Sequence, residues 1–304
     1  MNEVQEIPAR ATIGAGEGVA ECWMDLDGAR MRYLRAGSGP ALILLHGLLG
    51  YSFSWRYVMQ ALASYATVYA PDLLGAGFSD RPRGIDHSMR GTARRVLRFI
   101  ENLGLTSFDL LGTSRGGAVA MAAAAECLGS ERSGAQNAGP RLRRLVLVCP
   151  VNPYSRHGRW IAPFFGTRLG AALFRAGMGI TRMQFMFPYW HGRLYADKSR
   201  IPPGTLEGYK APLAIPGLFE HALSIVRTWT ADLEELEALL PTLSAIPMLL
   251  MWGSKDPAVY FSSMQPLARN FANVQSVVFP GIGHLPYEEC PEEFNQALIQ
   301  FLTC

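Results

Sequence analysis

Lysine is nearly absent from this 304-residue chain, with only Lys198, Lys210 and Lys255, so its basic residues are almost all arginine. The formal net charge is just +3. That small excess, with no basic block interleaved with aromatic residues, offers no nucleic-acid surface. Cysteine is scarce as well. Cys22, Cys127, Cys149, Cys290 and Cys304 are odd in number and scattered, without a Cys-x-x-Cys pair or metal-ligand spacing. Neither a disulfide framework nor a metal centre is expected from them, and Cys149, inside an apolar strand, reads as an inert core residue. No run reaches the ~18 apolar residues that a membrane span requires. The opening MNEVQEIPARATIGAGEGVAE has early acids and no apolar centre, unlike a secretory signal. These absences lead us to expect a cytoplasmic protein in a reducing compartment, with no membrane span. Internal repeats are missing too, and nothing in the composition sets an oligomeric state.

What is present is an alternation of buried-strand runs with helical segments, long enough for one large α/β domain and an insertion. Ala41-Leu42-Ile43-Leu44-Leu45 reads as a fully buried strand that ends in His46-Gly47-Leu48-Leu49-Gly50. His46 reads as a loop-shaping residue bonded to backbone. A second short strand, Val68-Tyr69-Ala70, leaves into a glycine-bent loop holding Asp72 and Asp80, which read as turn stabilisers. A helix is expected over 88–102, with Arg94, Arg95 and Arg98 on its solvated side.

Ser114 carries the most information. It sits in Gly112-Thr113-Ser114-Arg115-Gly116, where an apolar strand turns sharply into a small-residue helix. This Gly-x-Ser-x-Gly elbow strains the serine backbone and brings neighbouring chains close, so a Cβ at 112 or 116 would clash. The hydroxyl then stands at the carboxyl edge of a sheet. The Arg115 N–H, at the start of the next helix, can face a developing negative charge.

An acid and a histidine follow in the right contexts. Pro247 to Trp252 is a buried-strand run, and Gly253-Ser254-Lys255-Asp256-Pro257 leaves its carboxyl end, where catalytic groups gather in open α/β sheets. Val274 to Phe279 is a further strand, leading to Gly281-Ile282-Gly283-His284. The order Ser114, Asp256, His284 is that of the hydrolase triad and not of the unrelated protease triads. The segment after the apolar run Val146 to Val148 offers Asn152 and no acid.

The motifs HGLLG, DLLGAGFSD, GTSRGG, WGSKDPAV and GIGHLPYEECPEEF together resemble the α/β-hydrolase fold superfamily, from about Asp25 to Phe301. The resemblance implies a mostly parallel eight-stranded sheet flanked by helices, with a helical cap inserted after the sixth strand. It places the second oxyanion donor on the Leu48 N–H, in the His-Gly turn. On this reading 1–20 is a loose arm, 21–151 and 241–304 form the core domain, and 152–240 is the cap. Gly129 to Pro140 reads as a polar surface loop. No cofactor and no metal are implied. The expected activity is a serine hydrolase that cleaves small-molecule carboxylic esters with apolar acyl or alcohol groups.

Other chemistries occur on this fold. Relatives that open epoxides or displace halide use an aspartate where this chain has Ser114. Carbon–carbon bond hydrolases of the meta-cleavage type use serine, but commonly carry tryptophan after the catalytic histidine, where this chain has Leu285. Serine-dependent perhydrolases and haloperoxidases are a further alternative on this fold, and the long inserted cap counts modestly against them. Aminopeptidase relatives need cap acids, and nothing singles out Glu207 or Glu220. A ligand receptor that retains the fold is the non-enzyme alternative. The cap segment holds Trp160, Phe164, Phe165, Phe174, Met183, Phe185, Met186, Phe187, Tyr189 and Trp190, broken by prolines into short helices. Two or three of these are expected to line an apolar pocket. The Arg115 guanidinium is expected to turn away and pair with backbone or an acid.

Overall fold

Asp27 and Gly28 both have positive φ, 59° and 82°. This is the backbone a two-residue Asp-Gly turn supplies, and it folds the described chain into a hairpin at its start. The hairpin pairs β1 (Val19–Leu26) antiparallel with β2 (Ala29–Ala36). The structure is a computed structural model that describes residues 18–132, 139–155, 162–177 and 180–303. β1 thus begins two residues inside the segment read as a loose arm, whose first 17 residues lie outside the described ones.

After the hairpin come β3 (Ala41–Leu45), α1 (Arg56–Leu62), β4 (Thr67–Pro71), α2 (Met89–Asn102), β5 (Ser107–Thr113), α3 (Arg115–Arg132) and β6 (Arg141–Val148). A helical insertion follows, with α4 (Ala162–Gly166), α5 (Arg168–Gly177), α6 (Ile180–Gly192), α7 (Thr205–Lys210) and α8 (Leu218–Leu239). The chain then returns through β7 (Met248–Gly253), α9 (Met264–Ala268), β8 (Val274–Phe279), α10 (Pro286–Glu289) and α11 (Pro291–Thr303). The strands form one eight-stranded sheet in the order β1-β2-β4-β3-β5-β6-β7-β8. β2 runs antiparallel to β4, and every pairing from β4 to β8 is parallel. The central strands β3, β6 and β7 are buried through most of their length because helices cover both faces.

α2 starts where its capping residue dictates, since the Ser88 hydroxyl accepts the Gly91 N–H at 3.1 Å. Val96, Phe99 and Ile100 face the core while Arg94 and Arg98 meet solvent. Arg95 departs from the expected exposed stripe: its guanidinium folds back to the Asp86 carbonyl at 2.6 Å. α3 runs on to Arg132, so Gly129–Arg132 close a helix where a polar loop was expected. Residues 133–138 of that segment lie outside the described residues.

The insertion is joined to the sheet domain by a small aromatic core in which Tyr51 and Phe53 meet Phe187, Tyr209, Leu213 and Leu218. The Tyr51 hydroxyl donates to the Gly208 carbonyl at 2.6 Å across this seam. A second contact joins His221 of α8 to His87, with ring Nδ1 atoms 2.7 Å apart and centroids 4.2 Å apart. Burial, and then the charges of Arg95 and Arg115, push His87 down to about 4. Burial and the neighbouring His87 push His221 to about 2.

Both folded values lie below the ordinary imidazole value. Beneath ~6.5 the unfolded chain therefore binds more protons than the folded one, and stability falls as pH drops from there towards 4. Thermal melts between pH 7 and pH 4.5 are expected to fall more steeply for the native chain than for a His87→Gln, His221→Gln double variant. Parallel curves would show that the pair contributes nothing to acid sensitivity.

Candidate active site

Ser114 lies between β5 and α3 with φ 54°, in the left-handed region that non-glycine residues rarely occupy. Backbone bonds hold it there. Its N–H donates to the Val148 carbonyl at 3.0 Å, and its carbonyl accepts from Gly117 at 3.0 Å and Val151 at 2.9 Å. A Cβ on Gly116 would lie 2.4 Å from the His46 carbonyl oxygen, so only glycine lets the elbow approach the β3 turn. Such strain costs on the order of 1–3 kcal/mol and persists where the surrounding structure holds the residue in place.

His46 has its tautomer fixed by its partners. The Leu73 N–H donates to Nε2 at 3.0 Å, so Nδ1 must carry the proton, which it gives to the Gly47 carbonyl at 2.8 Å. Burial keeps it neutral by lowering its pKa. The ring therefore ties the turn holding Leu48 to the loop after β4. In that loop buried Asp72 accepts from Ser52 N–H at 2.8 Å, Phe78 N–H at 2.9 Å and Arg32 at 3.1 Å. Asp80 accepts the Arg30 N–H at 2.7 Å. Asn152 is tied to the Pro150 carbonyl at 2.9 Å and the Ser263 hydroxyl at 3.2 Å.

Asp256 follows β7 and is buried. One carboxylate oxygen accepts the N–H groups of Ala258 at 2.7 Å and Val259 at 2.9 Å. The other is 2.7 Å from Nδ1 of His284. A carboxylate can only accept, so Nδ1 carries the proton and Nε2 keeps its lone pair.

The loop bearing His284 is clamped from the insertion. Its N–H donates to the Leu194 carbonyl at 2.7 Å. The Glu289 carboxylate accepts from Gly283 at 2.8 Å, Asp197 at 3.1 Å and Ala196 at 3.2 Å. A Cβ on Gly283 would come within 2.3 Å of the Leu194 carbonyl oxygen.

Ser114 and His284 both face a cavity of about 330 Å³ whose other walls include Leu48, Leu49, Trp190, Leu194, Leu285 and Tyr287. Of the aromatic residues counted in the insertion, Phe187 and Trp190 reach this wall. Phe185, two positions from Phe187, is 83% exposed. Trp160 and the Met183 side chain lie outside the described residues. A larger cavity of about 600 Å³ lies between Arg81–His87 and the start of α8, and neither Ser114 nor His284 borders it.

Arg115 opens α3, so its N–H has no carbonyl one turn earlier in the helix. Its guanidinium turns away from the cavity and donates to the His87 carbonyl at 2.7 Å. Burial lowers it to about 10, with Asp232 opposing the shift and Arg95 adding to it.

Two features went unread in the sequence. Cys149 is the fully buried core residue expected, but it lies one position past the end of β6, beside the acid–histidine pair. Its φ is 44°, and burial, with the Asp256 charge beside it, drives the thiol pKa well up, which keeps it protonated and unreactive. Its sulfur, an Asp256 oxygen and a His284 ring nitrogen lie within 4.8 Å of one another, the one such metal-sized set among the described residues. The second feature is the carboxylate of Glu288, buried next to Glu289. It pairs with Arg56 at 2.8 Å and accepts the Tyr195 hydroxyl at 2.5 Å and the Tyr209 hydroxyl, joining sheet domain to insertion. No short-range spacing signals either feature, because the partners come from distant stretches of chain.

This elbow, sheet and acid–histidine pair define a hydrolase architecture, and a family profile for the alpha/beta hydrolase fold matches residues 40–291. The chain belongs to that family. It is similar to haloalkane dehalogenase 2 of Mycobacterium tuberculosis, with 27% identity over 291 residues, covering 91% of this chain and 93% of that one. It also resembles N-formylmaleamate deformylase of Pseudomonas putida, at 36% identity over 138 residues, 45% of this chain and 47% of the other. Among solved structures, a thermophilic esterase from Thermogutta terrifontis superposes with a TM-score of 0.73 at 25% identity, covering 92% and 96% of the two chains. Cfl2 of Burkholderia cenocepacia shares the fold, with a TM-score of 0.77 at 21% identity over 99% and 100%. Among the described residues no helix is long and apolar enough to cross a membrane.

Proposed function

We propose that the protein is a serine hydrolase of carboxylic esters with apolar acyl or alcohol groups, working through an acyl-enzyme. The observation that carries this reading is the 2.7 Å bond from His284 Nδ1 to Asp256, with the imidazole and the Ser114 hydroxyl on the wall of one apolar cavity. In this mechanism Ser114 Oγ attacks the ester carbonyl and passes its proton to Nε2 of His284. Asp256 keeps the ring in the correct tautomer and stabilises the imidazolium that forms. The Leu48 and Arg115 N–H groups receive the oxyanion; donors of this kind are worth ~2.7–4 kcal/mol where measured. His284 then returns the proton to the leaving alcohol, and water repeats the sequence on the acyl-enzyme. The triad requires no cofactor.

Ser114 weighs against halide displacement as in the dehalogenase relative, because an alkoxide formed there would leave a stable ether with no carbonyl for water to attack. Leu285 on the cavity wall stands where the carbon–carbon hydrolases commonly have tryptophan. The discriminating assay is a panel of p-nitrophenyl esters from acetate to palmitate, alongside one vinylogous diketone acid. Sustained turnover of the esters is expected. Cleavage of the diketone alone would transfer the assignment to carbon–carbon hydrolysis, and a stoichiometric burst without turnover would transfer it to a ligand receptor.

A further inference from the structure

We infer that the outer face of α6 is a docking surface for an anionic lipid bilayer, on which the helix lies flat beside the catalytic cavity. Docking does not depend on the ester-hydrolase reading; only the delivery of a lipid-dissolved ester to Ser114 rests on it. The described large apolar side chains that are more than half exposed are Phe185 at 83%, Leu169 at 65%, Trp190 at 56% and Leu173 at 53%. All four lie on α5 or α6 of the insertion. A helix that turns such groups to solvent has a face without its partner.

α6 is divided by its own period. Phe187 and His191, one turn apart, face inward, with ring centroids 6.5 Å and 4.4 Å from that of Tyr209. Phe185 and Tyr189, also one turn apart, face outward, and Arg193 continues their row just past the helix end. The Tyr189 ring packs edge-on against Trp190 at 5.5 Å, and Arg193 donates to the Tyr189 hydroxyl at 3.0 Å. Trp190 thus belongs both to this strip and to the wall of the cavity that Ser114 and His284 share.

Charge selects the occupant. From Ser155 to Ala196 the sequence carries six arginines, none adjacent to another, and neither aspartate nor glutamate, in a chain whose net charge is only +3. Arg168, at the start of α5, and Arg193 are both exposed. A second copy of the chain laid face to face on this strip would set arginine against arginine with no acid of the segment to offset it. Acidic headgroups over an apolar layer match the whole strip: Phe185 enters the layer, Tyr189 and Trp190 keep a polar tip at its edge, and arginine meets phosphate. Such a helix lies on a bilayer, and none of the described helices is long and apolar enough to cross one.

The test is flotation with vesicles of phosphatidylcholine, alone or with about one third phosphatidylglycerol. The native protein is expected to bind the anionic vesicles about tenfold more than the neutral ones at low salt, and to lose most of that binding at about 0.5 M salt. Phe185→Ser and Arg193→Gln should each lower binding about five- to tenfold with an unchanged melting temperature. Tyr65→Ser, which removes a half-exposed ring from the sheet domain, should bind as the native protein does. No binding to the anionic vesicles, equal binding to both kinds, or binding that survives both Phe185→Ser and Arg193→Gln would overturn the docking surface. A dimer in sedimentation velocity that Phe185→Ser disperses, without vesicle binding, would give the face to a second copy and overturn it as well. Flotation needs no turnover, so it separates the two readings. Vesicle binding by a protein that cleaves no ester would keep the surface and remove the proposed chemistry, and ester turnover without vesicle binding would do the reverse.

Discussion

Replacing Ser114 by alanine is expected to lower kcat on p-nitrophenyl esters by about five to six orders of magnitude, the size of loss seen when a triad nucleophile is removed. The argument is local. What holds residue 114 at φ 54° is backbone: its N–H on Val148, and its carbonyl shared by Gly117, Ala118 and Val151. Alanine keeps all four bonds and has nearly the same left-handed cost as serine, so the elbow and the Arg115 N–H stay in place. What disappears is the oxygen that attacks. The oxyanion donors would then leave a residual acceleration of roughly 10³–10⁴ over water, slow but measurable with an activated ester. Melting temperature within a few degrees of the native value, together with this loss, is the expected pair of results. Turnover within tenfold of native would remove Ser114 from the mechanism and the ester-hydrolase reading with it.

Ser114 was legible in the sequence because the elbow's demands are short-range. Gly112, Ser114 and Gly116 sit within five positions, and the contacts that exclude a Cβ at 116 come from the end of β3, itself a five-residue apolar run. Asp256 and His284 were legible for a related reason, since each follows a strand whose apolar run marks its carboxyl end. The eight-stranded sheet was implied by the resemblance to the α/β-hydrolase fold superfamily, and the structure has it.

The insertion was legible only as composition. Phe185 at 83% exposed and Phe187 at 5% are chemically alike and two residues apart, and the turn of α6 against Tyr51 and Tyr209 alone decides which is buried. At Cys149 only the strand boundary was missed, because an apolar run says nothing of its last residue. At φ 44° the chain leaves the strand, and the thiol swings towards Asp256. The end of α3 was misread because glycine and serine at 129 and 130 look like a loop, although a helix end tolerates a glycine at a cost of ~1 kcal/mol.

Asp256→Asn is expected to cost about four orders of magnitude in kcat with little change in fold, and the reason lies in which oxygen does what. One carboxylate oxygen accepts two backbone N–H groups, from Ala258 and Val259. Asparagine can satisfy those donors only with its carbonyl oxygen, which turns its NH₂ towards the His284 Nδ1 that the other carboxylate oxygen now holds at 2.7 Å. Two donors cannot face each other in a buried site, so Nδ1 must give up its proton and accept. The single proton of the neutral ring then moves to Nε2, the nitrogen that has to take the proton from Ser114, and the base is lost while its position is kept. Ring nitrogen shifts in an NMR spectrum labelled at histidine should show His284 changing tautomer in the variant, in parallel with the loss of turnover. A variant that kept the native tautomer and still lost activity would assign Asp256 to charge stabilisation alone. One that kept activity within tenfold would show that His284 needs no partner at Nδ1, and the acid would have to be sought elsewhere along the carboxyl edge of the sheet.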